Sequence, residues 1–375
     1  MSFKLYILGS SGAMPAYGRF PSCQLLEIHN HLFLIDCGEG AQMQLMKHQL
    51  PYHKIHSIFI SHLHGDHYLG LMGLLFSMHL QRRVTDLHLY SHRGLDEIIL
   101  QQLKYSASTL NFKIIFHPLE ADLQQLIVDE SGYTVETIPL RHKIACSGFL
   151  FREKQKPRRI DKEKLQPGML LQHIAALKTG TDVLDSTGQT LYKNEDFTLP
   201  PRRSYSYAYC SDTCYVESIA KQIQGVDLLY HEATFMEEEQ DKAIETKHST
   251  AKQAASMARA GGVNQLLIGH FSARYRELEG FSPTFGRARE DEVIAVTPMG
   301  SVVHQAVVRE SLLRAGVQVV HGAAARAEPR RAPRRHPGPG RILCRPAHLR
   351  LRPDATQDRR RRHRRAAGPR LAGQR

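Results

Sequence analysis

One segment restricts what this chain can fold into more than any other: Ser57-Ile-Phe-Ile-Ser-His62-Leu-His64-Gly-Asp66-His67. An apolar run that reads as a strand passes directly into H-x-H-x-D-H. A strand delivers side chains i and i+2 to one face, and Gly65 permits a tight turn that folds Asp66 and His67 back toward the same point. Four metal-capable groups therefore converge within six residues. Imidazoles and carboxylates in this spacing suit Zn²⁺ or a similar borderline ion, and four ligands in one loop exceed the three usual for a single catalytic zinc. The segment predicts a two-metal centre at the end of a sheet strand. By contrast His48, His53, His56 and His79, which lie alone, read as structural or exposed.

Around it, short apolar runs alternate with helical patterns. Lys4–Leu8, Leu25–Ile28, Leu32–Ile35, Ser57–Ile60, Ser204–Tyr209, Val226–Tyr230 and Val263–Ile268 read as strands. Leu69–Gln81 is apolar nearly all round and predicts a buried helix, Leu95–Leu110 an amphipathic one, and further helices fall at Val216–Gln222 and Ala251–Ala260, the last stopping at Gly261-Gly262. Such alternation argues for a layered α/β fold. Residues 152–203 break the pattern: they begin with Arg152-Glu-Lys-Gln-Lys-Pro-Arg-Arg159 and end at Leu199-Pro-Pro-Arg-Arg203, which predicts a projecting basic insertion.

Charge matters because the total of +13 suggests a nucleic-acid partner. That charge is confined: residues 1–280 carry a net −1, whereas residues 281–375 carry +14, with 21 Arg and no Lys. Arg, Ala, Gly and Pro dominate this tail, the residues of GC-rich codons, so it is expected to be aberrant or disordered, the product of a frameshift or fusion near residue 280. The expected catalytic domain is 1–280. No apolar run approaches the ~20 residues of a bilayer span, which predicts a soluble, cytoplasmic protein without a membrane partner. Six cysteines without paired C-x₂-C spacing predict reduced, buried thiols.

On the H-x-H-x-D-H segment the chain resembles the metallo-β-lactamase superfamily, whose dinuclear site is completed by a later His, Asp and His at strand ends. His142 in Ile138-Pro-Leu-Arg-His142, Asp212 in Cys-Ser-Asp212-Thr and His270 in Leu266-Leu-Ile-Gly-His270 occur in that order. The resemblance implies an αββα sandwich in which His62, His64 and His142 hold one metal, Asp66, His67 and His270 the other, and Asp212 bridges two divalent ions, most simply Zn²⁺. His231-Glu-Ala-Thr-Phe235, Lys247-His-Ser-Thr250, His270-Phe-Ser-Ala-Arg-Tyr275 and the basic insertion narrow the likeness to the short form of the ribonuclease Z family, over residues 1 to about 278.

That resemblance implies an endoribonuclease that removes 3′ trailers from tRNA precursors, acts as a homodimer, and uses Asp66 as general base with His248, oriented by Glu232, as general acid. The residues themselves lend His248 some support: it precedes Ser249-Thr250, a natural helix N-cap whose free N–H groups favour a phosphate. Arg19, Lys154, Lys156, Arg158, Arg159, Ser249 and Arg274 are the expected substrate contacts. One loop departs from the family: where many members read P-x-K-x-R-N, this chain has Pro15-Ala-Tyr-Gly-Arg19-Phe20, so that Tyr17 and Phe20 replace Lys and Asn. Two other activities fit less of the sequence: a two-metal phosphodiesterase for small cyclic or aryl phosphodiesters, and a nucleic-acid-binding protein that works through its Arg-rich tail.

Overall fold

The computed structural model describes residues 3–281 and two short later strands, 293–295 and 318–319. The first sheet contains β1 (Phe3–Gly9), β2 (Cys23–Ile28), β3 (His31–Cys37), β4 (Ile55–Phe59), β5 (Leu87–Ser91) and β6 (Ile114–Pro118), side by side in that order. The second contains β7 (Leu126–Asp129), β8 (Tyr133–Pro139), β9 (Ser147–Glu153), β14 (Ser206–Cys210), β15 (Leu228–Glu232) and β16 (Leu266–Gly269), also in order. Between β9 and β14 the insertion forms two small antiparallel pairs, β10 (Arg159–Ile160) with β13 (Thr198–Leu199) and β11 (Val183–Leu184) with β12 (Thr190–Tyr192). Strand β17 (Val293–Ala295) runs parallel beside β16, and β18 (Gln318–Val319) parallel beside β1. Apart from these two strands and Phe281, the expectations for residues 281–375 lie outside the described residues.

Alternating side chains divide each sheet into two apolar faces. Phe3, Leu5 and Ile7 of β1 share one buried cluster with Phe149, Phe151 and Tyr207 of the second sheet, so this core lies between the sheets. On the far side of the first sheet, Ile58 and Leu89 pack with Leu45 of α1 (Ala41–Lys47), Leu74 of α3 (Leu71–Leu80) and Ile99 of α4 (Leu95–Tyr105). On the far side of the second, Ala208 and Leu229 pack with Ile219 of α7 (Ile219–Gln222) and Met257 of α9 (Ala251–Ala260). Each face of each sheet is thereby covered, giving helix, sheet, sheet, helix. The insertion has its own small core of Leu177, Val183 and Phe197.

Several elements differ from the sequence expectation for physical reasons. The all-apolar run at 69–81 predicts a buried helix, yet Leu69 and Leu80 are 62% and 77% exposed; an outer layer buries only the stripe that meets the sheet. The second helix stops at Tyr105 rather than Leu110, where the Ser106 hydroxyl donates to the Gln102 carbonyl and Ala107 turns left-handed. The helix expected at 216–222 shortens to Ile219–Gln222. No strand was legible between residues 82 and 153, although five lie there. In β8 the alternation is interrupted by Thr137 at a buried position, which the second sheet tolerates because its hydroxyl donates to the Leu123 carbonyl.

Phe59 is fully buried and contacts the rings of Phe33 and Tyr90 in its own sheet and of Phe149 and Phe151 in the facing one. Phe59→Ala is therefore expected to cost about 3–5 kcal/mol of stability, read by urea unfolding.

Candidate metal centre

The site lies where the carboxyl ends of parallel strands from both sheets meet, the usual ligand position in such sheets. After β4, residues Ile60–His64 run on extended and α2 (Gly65–Tyr68) turns Asp66 and His67 back. From the second sheet come His142 after β8, Asp212 after β14 and His270 after β16. Close backbone approach makes room for them: a Cβ on Gly38 would sit 2.3 Å from the Asp66 carbonyl, and one on Gly12 would sit 2.9 Å from the His270 ring.

Two groups of ligand atoms share no member, His62, His64, His142 and Asp212 in one and Asp66, His67 and His270 in the other, and a third, Asp212, His248 and His270, overlaps both. His64 Nδ1 lies 3.0 Å from His62 Nε2 and 3.1 Å from His142 Nε2. His270 Nε2 lies 3.3 Å from both His67 Nε2 and Asp66 Oδ2. Ligands of one tetrahedral ion with bonds of about 2.0–2.1 Å stand roughly 3.3 Å apart, so these separations fit. Asp212 faces both groups. Its Oδ2 is 3.6 Å from His62 Nε2 and 3.8 Å from His142 Nε2, while its Oδ1 is 3.5 Å from His67 Nε2 and 3.2 Å from His270 Nε2. Buried Oδ1 has no hydrogen-bond donor, and a buried carboxylate oxygen without one calls for a cation.

The remaining ring nitrogens are fixed by the protein, as metal-binding histidines require. His142 Nδ1 donates to the Lys247 carbonyl at 2.9 Å, His270 Nδ1 to Thr234 Oγ1 at 2.9 Å and His67 Nδ1 to Asp36 Oδ2 at 2.8 Å. Burial would raise the carboxyl pKa of Asp66 and Asp212, but the neighbouring histidines outweigh it and hold both ionised, well below the usual range. Burial lowers the pKa of His62, leaving a neutral imidazole available as a ligand.

Sequence reasoning missed Asp36. It is fully buried, left-handed at φ 55, and accepts from Ser61 N at 2.8 Å, Ser61 Oγ at 3.0 Å and Tyr209 Oη at 2.6 Å as well as from His67. Its only signal in the sequence is an acidic residue at the end of an apolar strand. Asp36→Asn is expected to weaken metal affinity about 10–100-fold, measured by competition with a chromophoric chelator.

Beside the ligands, His248 Nδ1 donates to Glu232 Oε1 at 3.0 Å. Glu232 is fully buried and also accepts from Thr213 N, Ser249 N, Thr234 N and Thr234 Oγ1, so its carboxylate is saturated. Burial disfavours the charged His248 imidazole, but the Glu232 and Asp212 carboxylates outweigh this and push its pKa up to about 9.

The expected substrate contacts are placed less simply. Ser249 is fully buried, its hydroxyl donating to the Thr213 carbonyl at 2.7 Å, and α9 is capped by Thr250 with Gln253 instead. Arg19 is 5% exposed and spends its guanidinium on the carbonyls of Tyr275 and Arg276. Both side chains are buried and spend their donors on backbone carbonyls, Ser249 on Thr213 beside Asp212 and Arg19 on Tyr275 and Arg276. At the root of the insertion, Lys154 pairs with Asp129, Lys156 with Glu153 at 2.7 Å, Arg158 donates to Thr198 Oγ1 at 2.7 Å and Arg159 to the Pro200 carbonyl at 3.0 Å. Arg274 pairs with Glu239 and lies over the Phe235 ring. The five described cysteines are free: Cys23, Cys37, Cys146 and Cys210 are buried and Cys214 is half-buried.

Known proteins resemble this chain in sequence and in fold. A family model described as anti-Pycsar protein Apyc1 matches residues 3–157, less than half of the chain. A ribonuclease Z from Cytophaga hutchinsonii is 50% identical over 281 residues, covering 75% of this chain and 90% of that protein. The crystal structure of human tRNase Z, short form, aligns with a TM-score of 0.57 and 27% identity over 78% of this chain and 95% of that one. The metallo-β-lactamase fold protein YhfI of Bacillus subtilis aligns at 0.55 and 17% identity, over 79% and 97%. With half its aligned residues identical over nine-tenths of a curated relative, and with the same layered fold, the chain belongs to the ribonuclease Z family of metal-dependent endoribonucleases.

Proposed function

We propose that this enzyme removes 3′ trailers from tRNA precursors by two-metal phosphodiester hydrolysis, leaving a 3′-hydroxyl on the tRNA. The observation that carries this is Asp212, one carboxylate with an oxygen toward each of two histidine groups. His62, His64 and His142 would hold one Zn²⁺, Asp66, His67 and His270 the other, with Asp212 between. Two such ions supply Lewis acidity at the phosphate and a water ionised near neutral pH. Asp66 takes the proton of the attacking water at its carboxylate. His248, anchored through Nδ1 to Glu232, gives its Nε2 proton to the departing 3′ oxygen as the bond from phosphorus breaks.

The RNA backbone would run from this site to the insertion root, past Arg274 and the exposed sides of Lys154, Lys156, Arg158 and Arg159, so affinity falls with salt. We assign the catalytic domain to residues 1–280, with 152–203 as the tRNA-binding insertion, and attribute 281–375 to a frameshift or fusion. The extent of the match to relatives, about three quarters of the chain, supports this boundary, and translating the gene in its other frames tests it. Cytoplasmic location and a homodimer are proposed with the family; among the described residues no helix is long and apolar enough to cross a membrane, and sedimentation reads the dimer.

Single-turnover cleavage of a defined precursor, with product ends mapped, tests the assignment. Turnover of small cyclic or aryl phosphodiesters with no cut in the precursor would instead support the alternative activity.

A further inference from the structure

Residues 10–20 form a loop stapled to both halves of the centre. Ala13 N donates to Asp66 Oδ2 at 2.6 Å, Gly12 N to the Phe271 carbonyl at 2.9 Å and Phe271 N to the Ser10 carbonyl at 2.9 Å. Its tip is the turn Ala16-Tyr17-Gly18-Arg19, closed by Arg19 N to the Ala16 carbonyl at 2.8 Å and Ala16 N to the Arg19 carbonyl at 3.0 Å. Both central residues are left-handed, Tyr17 at φ 51 and Gly18 at φ 76. This is the two-residue hairpin turn in which Asn-Gly is favoured and a bulky ring at the first position is strained.

The strained ring is not buried to recover that cost. Tyr17 is 57% exposed, and beneath it lies the Arg19 guanidinium, 5.3 Å from the ring centroid. Arg19 cannot swing away, because it is held on the carbonyls of Tyr275 and Arg276, just beyond the candidate ligand His270. A strained, solvent-facing aromatic on a fixed cationic base, four residues from the backbone N–H that touches Asp66, has the form of a stacking platform. Single-stranded RNA is bound in this way, with unstacked bases laid on aromatic and guanidinium planes.

We propose that Tyr17 is a substrate-positioning residue, stacking the nucleobase of one nucleotide that flanks the scissile phosphate. Arg19 then acts through Tyr17 as a positioning residue. The proposal rests on the endoribonuclease reading above and adds a base contact to it; because every base has a π-face, it holds single-stranded ends without selecting sequence.

The test uses the full chain with its metals, and the variants Tyr17→Asn and Tyr17→Phe. Asn suits the turn, so Tyr17→Asn is expected to melt no lower than the parent while raising the precursor concentration for half-maximal single-turnover cleavage about 5- to 150-fold. Tyr17→Phe is expected to retain parental binding. Precursors carrying one abasic site at successive positions around the cut complete a double-mutant cycle. At one position the abasic site should weaken the parent as much as Tyr17→Asn does and add nothing to that variant. Parental binding by Tyr17→Asn, or full additivity at every position, overturns the platform while leaving the nuclease assignment intact. Failure of the parent to cut any tRNA precursor overturns the assignment and the platform with it.

Discussion

Asp212→Ala is expected to lose both metals and activity together. In the parent, one buried carboxylate presents Oδ2 to His62 and His142 and Oδ1 to His67 and His270. Without it, Asp66 would be the one carboxylate left among the candidate ligands and none would stand between the two dications to offset their repulsion. Metal content, read by elemental analysis after dialysis, should fall from about two ions per chain to below one. Cleavage should fall at least about 10²–10³-fold, the cost of losing a single preorganised electrostatic contact. Chelation of the parent should give the same loss, and added Zn²⁺ or Mn²⁺ should restore the parent but not the variant. Full metal content in Asp212→Ala would remove the bridging role.

His248→Ala is expected to behave in the opposite way. His248 stands outside the two main ligand groups and is held by Glu232, so both ions should remain while the single-turnover rate falls about 10²–10⁴-fold, the range for a lost general acid. The pH profile gives an independent readout. Glu232 and Asp212 hold the imidazole pKa up at about 9 against the opposing effect of burial, so the proton is present at neutral pH and lost as pH rises through that value. Bound divalent ions repel the imidazolium and bring this limb lower. The parent should therefore lose rate on the alkaline side, and His248→Ala should not. An unchanged rate, or an unchanged alkaline limb, would take His248 out of the reaction.

The residues that carry these predictions were legible because metal chemistry leaves local signatures. H-x-H-x-D-H sets its geometry within six residues, and His142, Asp212 and His270 follow from the order in which the family resemblance places a later His, Asp and His. Asp36 left almost no such mark. Its importance lies in four donors that reach it from Ser61, His67 and Tyr209, residues brought to it by the packing of two sheets. The basic cluster at 154–159 shows the converse. As sequence it reads as a free cationic patch, but in the fold Arg158 and Arg159 tie the start of the insertion to Thr198 and Pro200 at its end, while Lys154 and Lys156 pair with Asp129 and Glu153.

By itself, then, the sequence supplied the candidate ligands of the H-x-H-x-D-H segment and the layered α/β class, because periodicity and short motifs act over a few residues, while the later His, Asp and His came with the family resemblance. It also located the +13 charge in residues 281–375 rather than in the catalytic part. Only the tertiary structure decided which charges are spent on the protein's own backbone, which oxygen of Asp212 faces which histidines, and that Tyr17 stands exposed on Arg19. Those are contacts between segments up to some 250 residues apart, and pairings at such separation depend on how the two sheets close over each other, which no local pattern encodes.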